Sequence, residues 1–280
     1  MADKSFAELY EQRYGVPADP ADNQQSLAEG VARIINRRVV RQFEDRAIPA
    51  ALMTQLLTCA QSGPTKSDLQ QYSIIVVEDK AKRATIAGWI GTMNWINDAG
   101  AFLIFCGDIR RNRLLSSERG YEHANDNLDS FFNATVDGTI ALQSFVLGAE
   151  AADLACVPIS YIRNHAPRLA ELLGIPDGVF PIAGLAVGYP AWEGRPSMRL
   201  PQNVVVHRDR YDDSAMVAAV AEYDERRHQR EPIEGQKQRH TDRYGVAEKC
   251  PWSEQMARQL SRPERAEFRP FIEGQGFALK

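Results

Sequence analysis

Three arginines, Arg37, Arg38 and Arg41, fall within five residues of the stretch NRRVVRQF, with no carboxylate among them. Like charges four residues apart repel one another on a helix face. Val39 and Val40 favour extended chain instead, which sends neighbouring side chains to alternate sides. A cluster of this kind suits an anion. Guanidinium forks match phosphate oxygens, and each charge-assisted bond contributes roughly 1.5–3 kcal/mol. The plain alternative is a solvated helix end whose charges pair with Glu44 and Asp45.

Further stretches carry groups a ligand could use. In SGPTKSDLQ, Gly63 and Pro64 set a turn, Thr65, Lys66 and Ser67 offer hydroxyls and an ammonium, and Gln70 offers an amide suited to a polar ring edge. A simple helix-to-strand loop would read the same way. YIRNH follows the strand-like CVPIS, with Asn164 placed to cap the next helix. Arg199 stands in the proline-rich GYPAWEGRPSMRLP.

These residues need a scaffold, and apolar patterning supplies its outline. A helix over Ser5 to Tyr14 leads into the linker-like YGVPADPAD, and Ser26 to Ile35 carries Leu27, Val31, Ile34 and Ile35 on one side at helical period. Pro49 and Gly63-Pro64 bracket another helix. YSIIVVED, AFLIFCGD, CVPIS and FPIAGLAVGYP read as strands, apolar without polar alternation and so covered by helices on both faces. Ala134 to Ala155 is apolar nearly all round, the mark of a helix buried in a core or an interface. Pro167 to Leu173 reads as a helix, and residues 116–129 read as a mobile polar loop. The expected division is an arm at 1–25, a core at 26–211 and a charged helical extension at 212–280, with a basic patch from Arg226 to Arg243.

Composition narrows the function. The 280 residues suffice for one large domain or two smaller ones, and the net charge of −4 argues against a general nucleic-acid-binding surface. Cys59, Cys106, Cys156 and Cys250 form no CxxC pair, so neither a zinc site nor a redox dithiol is expected. The longest strongly apolar run, AFLIFC, is too short to span a bilayer, and the N-terminal MADKSFAELYEQ lacks an apolar export segment. A cytoplasmic protein without membrane partners is expected. No Ser-His-Asp or Cys-His arrangement stands out. His123 reads as exposed, Cys106 as a core thiol, and Trp89 and Trp95 as core unless they line an aromatic site.

Taken in order, INRRVVRQFEDRAI, SGPTKSDLQQYSIIVV, AFLIFCGD, LGAEAADLACVPISYIRN, LAELLGIPDGVFPIAGLAVGYPA and SMRLP resemble the nitroreductase superfamily, nearest its NADPH-dependent flavin reductase and oxygen-insensitive major nitroreductase branch. The likeness runs from Leu27 to Tyr211 and weakly to the C-terminal RPFIEGQGF. It implies an α+β fold with a mostly antiparallel central sheet wrapped by helices, and an intertwined homodimer with FMN at its interface.

By that resemblance Arg37, Arg38, Val39 and Arg41 contact the FMN phosphate, ribityl chain and ring edge. Thr65, Lys66, Ser67 and Gln70 flank the flavin, Pro158, Ile159, Ser160 and Tyr161 run beside its reactive face, and Arg199 meets the phosphate. Met93 stands where a glutamine is expected, Arg37 where histidine is common, Ser197 where a lysine is expected, and Tyr161 at the second position of a glycine pair. The implied activity is hydride transfer from NADPH, or NADH, through FMN to nitroaromatics, quinones or flavins by a ping-pong mechanism. Arg38 and Arg41 would stabilise charge on the reduced ring, with no catalytic side chain and no metal. The basic patch would be solvated or would hold the 2′-phosphate of NADPH, while residues 88–98 and 116–129 would shape acceptor choice. Alternatives are a flavin-binding sensor or carrier without turnover, a nucleotide-binding structural module, or a specialised aromatic-substrate reductase or dehalogenase.

Overall fold

The run AFLIFCGD has no solvent side because both of its faces are covered. In the computed structural model, which describes residues 4–23 and 26–279, Leu103 and Phe105 enter one apolar cluster and Phe102, Ile104 and Cys106 enter another. This is the two-residue alternation of a strand. Residues 1–3 and 24–25 of the expected arm lie outside the described residues.

In chain order the elements are α1 (Phe6–Tyr14), α2 (Glu29–Ile35), α3 (Ala50–Gln61), β1 (Tyr72–Val76), α4 (Lys80–Ile90) and β2 (Ala101–Asp108). Next come α5 (Arg110–Glu118), α6 (Leu128–Ala151), β3 (Ala155–Ile159), α7 (Ala166–Leu173) and β4 (Val179–Gly188). The remainder is helical: α8 (Gln202–Val205), α9 (Met216–Arg230), α10 (Thr241–Tyr244), α11 (Trp252–Leu260) and α12 (Phe268–Gly274).

The described residues form two compact units. A helical unit comprises Met1–Arg37 and Pro196–Glu264, and a sheet unit comprises Arg38–Arg195 and Arg265–Lys280. In the sheet unit the strand order is β1-β2-β4-β3, with every pair antiparallel. A bulge falls between Phe105 and Cys106, where the register with β4 passes from Ala183 to Pro181. Proline has no N–H for the ladder, and a bulge is where a strand tolerates that loss.

One face of the sheet carries Leu56 and Ala60 of α3 with Ala134, Ala141, Phe145 and Ala149 of α6. The other carries Ile86 and Ile90 of α4 and Leu169 of α7. Small residues let α6 approach closely: a Cβ on Gly138 would lie 2.4 Å from Ile182 Cδ1 and 3.1 Å from the Cys106 carbonyl oxygen. The opposite flank of α6 is open, with Leu128, Phe132 and Val136 exposed at four-residue spacing and Phe132 63% accessible. The helix begins and ends earlier than the expected Ala134 to Ala155, at Leu128 and Ala151, and within the expected stretch Val136 is exposed, so its burial is incomplete within a single chain.

Four other expectations shift. α2 has no buried residue, and Val31 and Ile34 are exposed. Asn164 does not cap α7: 3-10 turns from Ser160 to His165 run into the helix, which starts at Ala166 with Pro167 in its first turn, where a missing N–H costs nothing. α5 extends through Glu118, and the loop after it is tied down rather than loose. Arg113 Nε donates to Asp126 Oδ1 at 2.8 Å, and the Ala278 N–H donates to the Asp126 carbonyl at 2.7 Å. His123 is half-buried, 3.4 Å from Asp126 Oδ1, rather than exposed.

Candidate functional site

α2 ends at Ile35, so the arginine motif lies beyond any helix. The chain runs extended past Val40, which is buried in the second cluster with Val39 packed beside it. It then pairs with the segment after β4: Phe43 bridges Pro190, the Glu44 N–H donates to the Tyr189 carbonyl at 2.9 Å, and the Ala191 N–H donates to the Gln42 carbonyl at 3.0 Å. Extended geometry divides the side chains, as the valines suggested. Arg38 is half-buried, with Nε donating to the Glu193 carbonyl. Arg41 is exposed and makes no hydrogen bond or ion pair among the described residues. Its charge does not pair with Glu44 or Asp45.

The loop after α3 is strained and pinned. Ser67, Asp68 and Gln70 have φ of 50°, 57° and 50°, a left-handed region that side chains other than glycine adopt at a cost. Asp137, 1% exposed, reaches this loop from the middle of α6. Its carboxylate accepts from the Lys66 N–H and the Gln71 N–H, both at 3.0 Å. The Gln70 carbonyl accepts from Arg111 Nη1 at 2.8 Å, and Lys66 Nζ sits 3.6 Å from Asp129. Thr65 is half-buried, while Ser67 and Gln70 face solvent. A cavity of about 450 Å³ joins this loop, through Lys66, Leu69 and Gln71, to Ser116, Tyr121 and His123 of the segment expected to shape acceptor choice.

Along β3, Val157 and Ile159 are buried and Pro158 is exposed at the sheet edge. Ser160 Oγ accepts from Arg265 Nη2 at 3.4 Å. Tyr161 is 41% exposed and tilts against His165, which also meets Trp89, with ring centroids 5.9 and 5.8 Å apart. Burial, with the nearby Arg168 charge added, lowers the His165 pKa. Met93 and Trp95, like Trp89, pack partly buried against the second cluster. Cys106 is fully buried, and burial pushes its thiol pKa well up, as befits an inert core residue.

In the helical unit Arg199 is exposed, and its Nη1 makes long bonds to the Met198 and Ser197 carbonyls, at 3.2 and 3.4 Å. Nη2 and Nε carry no bond among the described residues. Arg199 lines two cavities of about 440 and 250 Å³, the larger walled also by Tyr223, Arg227 and Trp252. Much of the basic patch is paired inside this unit: Arg227 donates to the Tyr223 hydroxyl at 2.6 Å, and Arg226 lies 3.6 Å from Glu222. Arg13 holds the main chain around both Arg37 and Ser197, donating to the Ser197 carbonyl at 2.7 Å and the Arg37 carbonyl at 2.9 Å.

Residues 34–189 match the nitroreductase family, and residues 197–280 match the nitroreductase family C-terminal domain. The chain belongs to the nitroreductase family. One nitroreductase relative is the FMN reductase [NAD(P)H] of Bacillus subtilis, 29% identical over 91% of this chain and 100% of that protein. Another, the FMN reductase (NADPH) of the same organism, is 34% identical over 65% of this chain and 74% of its own. Among solved structures, B. megaterium NfrA2 superposes with a TM-score of 0.81 at 29% identity, covering 91% of this chain and 100% of that one. Every site residue expected from the sequence falls inside the two nitroreductase spans.

Two anchoring residues escaped the sequence reading. Asp137 had a signal, a carboxylate at the middle of an apolar helix. Arg13 had none, since its partners are distant in the chain.

Proposed function

We propose that the chain is an FMN-dependent NAD(P)H oxidoreductase that reduces small aromatic acceptors (nitroaromatics, quinones or flavins) in alternation with its nicotinamide donor at one site. The reading is carried by one observation: the family match runs through both parts of the chain that hold spare guanidinium donors, Arg41 in residues 34–189 and Arg199 in residues 197–280.

The side chains present fit FMN. Arg41 and Arg199 keep donors unbonded for a phosphate, and each such bond contributes roughly 1.5–3 kcal/mol. Arg37, Arg38 and Val39 complete that segment. Thr65, Lys66, Ser67 and Gln70 flank the ring on a loop whose main chain Asp137 fixes in advance. Pro158, Ile159, Ser160 and Tyr161 line its open side, with Met93 beyond. FMN bound there supplies the hydride and electron chemistry, and the protein supplies orientation and charge. No side-chain nucleophile is required.

The protein works as a homodimer. The exposed Leu128, Phe132 and Val136 of α6 form the apolar stripe such an interface needs. A cytoplasmic location is part of the same proposal; among the described residues no helix is long and apolar enough to cross a membrane.

Purified protein should show a flavin absorption spectrum that bleaches anaerobically with NADPH or NADH and returns on adding a quinone. Sedimentation of the same sample should give twice the 31.3 kDa chain mass. Arg41→Ala should weaken FMN binding about tenfold or more, the equivalent of one charge-assisted bond. A colourless preparation that takes up no added FMN would end the proposal.

A further inference from the structure

α1 lies outside both family spans, which begin at residues 34 and 197, yet it is fastened to the segments that bear two of the site arginines. A capping box starts the helix: the Ser5 hydroxyl accepts from the Glu8 N–H, and the Ser5 N–H donates to the Glu8 carboxylate. Leu9 and Arg13, one turn apart, form its buried face. Arg13 is only 8% exposed, and its guanidinium donates to three main-chain carbonyls, those of Ser197, Arg37 and Ile35. The contact is mutual, since the Arg199 N–H donates to the Arg13 carbonyl at 2.8 Å.

Chain fit reinforces this clamp. Gly15 ends α1 at a φ of +71°, and a Cβ there would lie 2.6 Å from Met198 Cε. Arg230 Nη1 donates to the Gln12 carbonyl at 3.0 Å. Tyr10 and Tyr14, with ring centroids 4.6 Å apart, wall the 250 Å³ cavity that Arg199 and Gln202 complete.

We propose that Arg13 is a positioning residue for the anion site: by gripping the main chain at Arg37 and at Ser197–Arg199 together, it sets the spacing between two of the guanidiniums that hold the FMN phosphate. This rests on the functional reading above. A planar fork can serve several carbonyls at fixed angles, whereas a lysine ammonium on a flexible stem holds none of them in a set direction. The arm is thus part of the cofactor site, acting through Arg199 rather than touching the ligand.

The test is a double-substitution cycle read by FMN dissociation constants from flavin fluorescence, with KM and kcat measured separately. Arg13→Ala and Arg199→Ala should each weaken FMN about tenfold, the scale of one charge-assisted bond. The double variant should bind no more weakly than Arg199→Ala alone, because residues acting as one unit are not additive. Arg13→Lys should not restore affinity. Arg230→Ala, which loosens the arm elsewhere, should leave it unchanged. If Arg13→Ala fails to fold, Arg13→Gln, whose amide still serves one carbonyl, carries the same outcomes. Wild-type affinity in the Arg13 variant, effects that multiply, or loss in Arg230→Ala equal to that in Arg13→Ala would each overturn the proposal. A wild-type protein that binds no FMN would instead sink the functional reading, before any variant is made.

Discussion

The two units are held together by different physics. Both apolar clusters lie wholly within the sheet unit, where strands and helices bury interlocking side chains on two faces. The helical unit buries few large apolar groups, Leu9, Met198 and Tyr223 among them, and leaves Val205, Val206, Val217 and Leu260 exposed. Its interior is polar instead. Gln238 and Ala247 exchange side-chain-to-main-chain bonds at 2.8 and 2.9 Å. Gln255 accepts from the Arg239 N–H and donates to the Lys237 carbonyl, both at 2.8 Å, and Arg258 donates to the Gly245 carbonyl at 2.7 Å. Burial is non-directional and tolerates reshaping, while buried hydrogen bonds fix a particular geometry and are costly to leave unmade. The sheet unit is a packed scaffold, and the helical unit a framework that holds loops, Arg199's among them, at set positions.

That contrast can be challenged by substitution. The largest effect should come from Phe145→Ala, which empties a fully buried ring site in the first cluster and should cost about 4 kcal/mol in urea unfolding. A loss below about 1 kcal/mol would mean that the core can collapse into the gap. In the helical unit Gln255→Met keeps the volume but strands an N–H and a carbonyl, and it should cost about 2 kcal/mol. A neutral Gln255→Met would erase the distinction between the units.

The smallest effect concerns pH. The His165 pKa is lowered in the folded chain, chiefly by burial and then by Arg168. Its neutral form is therefore favoured by folding. The associated stability is present above the unfolded value of about 6.5 and is lost as pH falls below it. The melting temperature should drop through that window in the wild type, and by less in His165→Gln. Equal drops would assign the acid sensitivity to other groups.

Sequence legibility follows the same divide. All four strands could be read from apolar runs, and α3 from Pro49 and Gly63, because these signals are local. The extended path of the arginine motif followed from Val39 and Val40. Exposure of Val31 and Ile34 could not be foreseen, since periodicity marks an apolar face without saying what covers it. Asp137 and Arg13 act across 22 to 184 residues of chain, where no pattern in the sequence links the partners. Asn164 was a reasonable cap by type, but it lies inside the 3-10 turns that lead into the helix, and His165 takes the cap position.

Pro158 has a consequence unrelated to cofactors. β3 closes one side of the sheet, and an unpaired strand edge there is a template on which a second molecule could stack. A pyrrolidine ring in that strand withholds a donor from any incoming chain, so the same residue that borders the proposed flavin face also guards the protein against strand-by-strand aggregation.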